Sequence, residues 1–155
     1  LRKAVVGHVV MVHLRCGGYP ELVTNDDSRL ELPAAPRAAG IAREFVRRNW
    51  SSVASPDTLD SVTLCVSELV TNALDHATPP FELRLGRSVD AFRVEVADTS
   101  ERPPVVQPVS PAAPRGRGLF IVSRTATSWG VEATGRGKTV WAEFATPNGP
   151  ATRAS

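Results

Sequence analysis

Apolar residues recur along the chain with two periods, and each change of period marks a new element. The stretch "RLEL", residues 29–32, alternates and predicts a short strand. In "PAAPRAAGIAREFVRRNW" the residues Ala38, Ile41, Ala42, Phe45 and Val46 fall three or four apart, the spacing of one helix face. The clearest stripe lies in "SPDTLDSVTLCVSELVTNALDHA", where Leu59, Val62, Val66, Leu69, Val70 and Ala73 line up. Ser55 is placed to cap this helix, Pro56 suits its first turn, and Asp57 complements its dipole. "FELRLGR" and "AFRVEVAD" both alternate; joined through residues 88–90, they predict a β-hairpin. Residues 99–114 hold five prolines and predict an irregular loop. A helix starts near "GRGLFIVSRTAT", and "SWGVEAT" and "TVWAEFAT" form a second hairpin around "GRGK". The order strand, two helices, hairpin, loop, helix, hairpin predicts an α+β fold. Its form is a two-layer sandwich, a mostly antiparallel sheet with helices on one face.

Composition changes this picture little. A chain of 155 residues fits one domain with a real core, expected over residues 29–146. Residues 1–28 read as an extension with a turn-rich link, and 147–155 as a tail. The net charge of +2 is too small to argue for a nucleic-acid partner. The apolar run "AVVGHVVMVHL" falls far short of the roughly 20 residues that span a membrane. It starts beside Arg2 and Lys3, as a signal peptide would, but Arg15 interrupts it and no clear cleavage site follows. Its histidines, His8 and His13, have no partner with metal-ligand spacing. Cys16 and Cys65 lie far apart and read as reduced thiols, so a cytoplasmic protein is expected.

The stretch "TGRGKT", residues 134–139, has the look of a phosphate-binding loop. A P-loop needs a glycine five residues before its Gly-Lys pair, and that place holds Glu132. A P-loop also runs into a helix, whereas "TVWAEF" alternates as a strand does. The stretch therefore reads as a hairpin turn, and Lys138→Ala is expected to be largely harmless.

Three other features offer chemistry. Glu68 and Asn72 are one helical turn apart and His76 continues the row, flanked by Leu64 and Cys65. A carboxylate and an amide so placed can orient a metal ion, a water or a hydroxyl nucleophile, although an exposed polar face fits the same spacing. Asp98 ends a strand, where it can accept from a ligand's amino group or simply open a turn. In "PRGRGLFIV", Gly116 and Gly118 precede an apolar helix. Their N–H groups can approach an anion, Arg115 and Arg117 add positive field, and a ligand-free helix start fits equally.

The order of these features resembles the GHKL ATP-binding domain shared by gyrase, histidine kinases and their relatives. Within it the chain is most similar to the anti-sigma-factor serine/threonine kinases. "SELVTNALDHA" resembles the N box, "VEVADTS" stands at the first glycine box, "GRGLFIV" resembles the second, and "GKTVWAEF" resembles the closing strand. The resemblance covers residues 29–144 and implies roles one by one. Asn72 would coordinate Mg²⁺ on the ATP phosphates, and Glu68 would be the general base toward a serine hydroxyl. Asp98 would bind the adenine amino group, and Thr139 would contact the adenine side. Arg115, Gly116, Arg117, Gly118 and Leu119 would form the phosphate-side segment, His76 would line the pocket, and residues 99–114 would be the lid. The partners implied are an anti-sigma-factor antagonist, a sigma factor, or both, with a homodimer among the assemblies. The cofactors are ATP and Mg²⁺. Where the fuller first box has a glycine two residues after its aspartate, this chain has Ser100.

Overall fold

A computed structural model describes residues 28–100 and 117–146. The elements follow the expected order: β1 (Arg29–Leu32), α1 (Ala38–Trp50), α2 (Pro56–His76), β2 (Phe81–Arg87), β3 (Ala91–Asp98), α3 (Gly118–Thr125), β4 (Ser128–Thr134) and β5 (Gly137–Ala145). The five strands form one sheet in the order β1-β2-β3-β5-β4, antiparallel at every pair. The expected α+β sandwich is thus the observed one. The N-terminal extension, with His8, His13 and Cys16, lies outside the described residues, as do most of the proline-rich loop and the tail.

The helices begin and end for local reasons. In α2 the Ser55 hydroxyl accepts from the Thr58 N–H at 3.2 Å, with Pro56 and Asp57 in the first turn. In α1 no side chain caps the start, and helix begins only at Ala38, because Pro33 and Pro36 hold the preceding residues in turns. Arg47 and Arg48 in its last turn complement the dipole. Ile41, expected in the core, is 36% exposed; the buried face is Ala38, Ala42, Val46 and Trp50. The Arg43 guanidinium donates to the Ser67 hydroxyl at 3.1 Å and ties α1 to α2.

Alternation gives the sheet two different faces. Phe81, Leu83 and Leu85 of β2, Phe92, Val94 and Val96 of β3, and Val140, Ala142 and Phe144 of β5 are buried with the helices. There Trp50 of α1 meets Phe92 with ring centroids 4.9 Å apart. The opposite face carries charge. Arg93 donates to Glu95 at 2.7 Å, to Glu143 at 2.9 Å and to Glu132 at 3.1 Å, and its guanidinium lies 4.1 Å from the centre of the Trp141 ring. Burial opposes the Arg93 charge, but Glu143 and Glu95 outweigh it, so its pKa is raised.

The second hairpin departs from expectation in its turn. Only Gly135 and Arg136 lie between the strands, with Thr134 paired to Gly137. Gly137 and Lys138 therefore belong to β5, not to the turn.

Candidate functional site

α2 presents Glu68 and Asn72 half-buried, one turn apart, while His76 at the helix end is exposed. Burial pushes the Glu68 carboxyl above the usual carboxylate range. Its neighbour Cys65 is fully buried, and its thiol is pushed up to about 12. Burial is the main cause and the Glu68 charge adds to it, while a hydrogen bond from Thr125 acts the other way. Leu64 is exposed and Cys65 is core, so only one flank of this row is apolar interior.

α3 meets α2 at this carboxylate. A Cβ on Gly118 would lie 3.0 Å from Glu68 Oε2 and 3.6 Å from the Glu68 Cβ and carbonyl oxygen. Glycine is what allows the first residue of α3 to come so close. Leu119 is buried and anchors the helix on the core, leaving Arg117 exposed at its N-terminal end. The start of α3, where unpaired N–H groups favour an anion, is thereby set beside Glu68. Arg115 and Gly116 lie outside the described residues.

At the end of β3, Asp98 follows Val94 and Val96 in alternation and so sits on the helix-covered face. It stands in register with Lys138 of β5, which shares the parity of Val140 and Ala142. The Lys138 ammonium bonds both carboxylate oxygens, Oδ1 at 3.0 Å and Oδ2 at 2.9 Å, and the Ser100 N–H donates to Oδ1 at 2.7 Å. The two strands are pressed together here. Gly137 has φ +146°, and a Cβ on it would lie 2.0 Å from the Asp98 carbonyl oxygen. The next residue is tethered as well: the Thr99 N–H donates to the Thr78 carbonyl at 3.2 Å, and its hydroxyl reaches the carbonyls of Thr78 and Pro79.

Thr139 pairs with Ala97 and Glu132, so alternation carries its side chain to the sheet face opposite the Asp98 carboxylate. Thr139 and Asp98 both border one open groove, with Glu31, Glu82 and Arg84. Lys138 takes the place beside Asp98 instead, so the basis for expecting Lys138→Ala to be harmless is gone. The missed signal was the turn. A two-residue Gly-Arg connection puts Lys138 into the strand, opposite the strand-end aspartate.

The sequence matches the histidine kinase-like ATPase domain family over residues 32–144. The chain belongs to that family. Histidine kinase-like ATPase domains bind ATP, usually with Mg²⁺. No curated protein matches the chain. Among solved structures it is similar to the RsbU and RsbW domains of Rv1364c from Mycobacterium tuberculosis. The likeness has a TM-score of 0.56 at 16% identity and covers 80% of this chain and 34% of that one. At that identity the likeness concerns the fold, and this chain spans about a third of the other's length. No described helix is long and apolar enough to cross a membrane.

The residues suit the family's cofactors. Among the described residues no group of three or more His, Cys, Asp or Glu could hold an ion alone. Glu68 and Asn72 offer oxygen donors one helical turn apart and half-buried, and Mg²⁺ takes one or two such protein ligands and completes its shell with water and nucleotide phosphates.

Proposed function

We propose that the chain binds Mg-ATP on the helix-covered side, between α2, the start of α3 and the Asp98 end of β3, and transfers the γ-phosphate to a serine of a partner protein. The observation that carries this reading is Gly118 packed on Glu68, which sets an anion-favouring helix start beside a desolvated carboxylate. Phosphates would lie along the Gly118 N-terminus, with Arg117 and, by sequence, Arg115 and Gly116 beside them. Leu119 holds that helix in place, and His76 stands at the far end of the row. Asn72 would hold Mg²⁺, which supplies charge neutralisation across the phosphates when bound. Glu68, with its proton affinity raised by burial, would take the proton from the serine hydroxyl as the γ-phosphate is transferred. Asp98 would accept from the adenine amino group.

The likeness to a protein with an RsbW domain supports an anti-sigma-factor kinase role. The serine would then belong to an antagonist, and in another state the chain would sequester a sigma factor. Incubation with labelled ATP and such an antagonist tests this. Glu68→Gln should lower serine labelling by about 10²–10⁴-fold, the worth of a general base. Labelling that does not depend on Glu68 would sink the kinase reading. A second reading is a nucleotide-responsive binding module without phosphotransfer. Ser100, where the fuller motif has glycine, favours it: this residue is buried and its N–H is committed to Asp98. It predicts partner affinity that responds to nucleotide and survives Glu68→Ala.

A further inference from the structure

Lys138 is one of two lysines among 18 basic residues, and its place in the fold is unusual for so strongly hydrated a group. Its side chain is 8% exposed and that of Asp98 is 2% exposed. Taking both charges out of water is tolerated only when the remaining protons and lone pairs find partners. An ammonium has three N–H donors and a carboxylate about four acceptor positions. Lys138 spans both oxygens of Asp98, and the Ser100 N–H takes a further position on Oδ1. Among the described residues, neither group makes another bond. At least one ammonium N–H and one acceptor position on Oδ2 are left, side by side, on the helix-covered face.

An unused donor next to an unused acceptor is the complement of an amino group next to a ring nitrogen. We infer that Lys138 is a base-reading residue of the nucleotide site. Asp98 accepts from the adenine amino group, and Lys138 donates to the ring nitrogen beside it, N1 on one edge of the base or N7 on the other. The inference rests on the proposed adenine-nucleotide site and adds a specificity determinant to it. Gly137 is part of the device, because its close approach to the Asp98 backbone fixes the lysine in register.

The test is calorimetric titration of the intact chain with Mg-ADP and with its 1-deaza and 7-deaza analogues, each lacking one ring acceptor. One analogue should bind the wild type about tenfold or more weakly than ADP, the worth of a hydrogen bond to a charged group. That penalty should vanish in Lys138→Met, which binds ADP and the same analogue alike. The inference is overturned if the wild type binds all three equally, a result that needs no variant. It is also overturned if the penalty persists in Lys138→Met, or if Lys138→Met binds ADP more tightly than the wild type does. Lys138→Thr, which keeps a hydroxyl beside Asp98, serves if Lys138→Met does not fold. The same persistence or tighter ADP binding in it overturns the inference. A wild type that binds no adenine nucleotide brings down the functional reading as well. One that binds ADP but ignores the analogues removes only the role of Lys138.

Discussion

The sheet carries buried charge on both faces, and the two sets are built differently. On the helix-free face Arg93 is surrounded: three carboxylates accept from its guanidinium, and Trp141 covers its plane. On the helix-covered face the charges are sparsely matched. Asp98 and Lys138 answer each other with capacity to spare, and Glu68 is desolvated without a described hydrogen-bond partner. A saturated network has nothing left to offer a ligand, so its work is to hold strands together. An unsaturated one costs stability and is available for chemistry. The difference teaches where to look for function in a domain whose two faces hold similar residue types.

Breaking the saturated side should cost most. Arg93→Ala leaves Glu95, Glu132 and Glu143 crowded without their cation, and should lower unfolding free energy by about 3–5 kcal/mol. A urea titration measures this, and a loss under 1 kcal/mol would mean the network is not structural. Gly137→Ala strikes where strand geometry serves the other side. The positive φ alone should cost about 1–3 kcal/mol, with the clash against Asp98 added, and Mg-ADP affinity should fall with it. A variant with unchanged denaturation midpoint and affinity would contradict the close approach.

The smallest effect has the opposite sign. Glu68→Gln should raise the melting temperature at neutral pH, because it removes a charge that burial disfavours. The Glu68 carboxyl is raised in the folded state, so folding takes up a proton between its unfolded and folded pKa values. Wild-type stability falls as pH rises through that window. The advantage of Glu68→Gln is therefore fully present above it and disappears below about pH 4, where the unfolded carboxyl is also protonated. Melting curves at pH 4 and pH 7 check this. A destabilised variant at pH 7 would show that Glu68 belongs with the satisfied charges after all.

Much of the fold was legible in the sequence because its signals are periodic and local. Ser55, Pro56 and the stripe from Leu59 to Ala73 mark α2 at both ends. The alternation of β2 and β3, with its three-residue link, gave the first hairpin almost residue by residue. What failed was a matter of parity. With "GRGK" as the turn, Lys138 falls outside the strand, whereas it stands in register with Asp98, and a one-residue shift along a strand moves a side chain to the other face. The proximity of Gly118 to Glu68 was not legible either, since it depends on how α3 docks onto α2 rather than on either helix alone. Ile41 fits the periodicity of its helix, yet the sheet and α2 are met by the neighbouring face.

The central claim is that the unsaturated face is an adenine-nucleotide site, and Mg-ADP binding followed by thermal unfolding and calorimetry tests it most directly. The wild type should gain about 2.7 kcal/mol of stability at 100 times Kd. Asp98→Ala should lose most of that gain, and Glu132→Gln, on the opposite face, should keep it. No stabilisation by saturating Mg-ADP, or an equal gain in wild type and Asp98→Ala, would contradict the account.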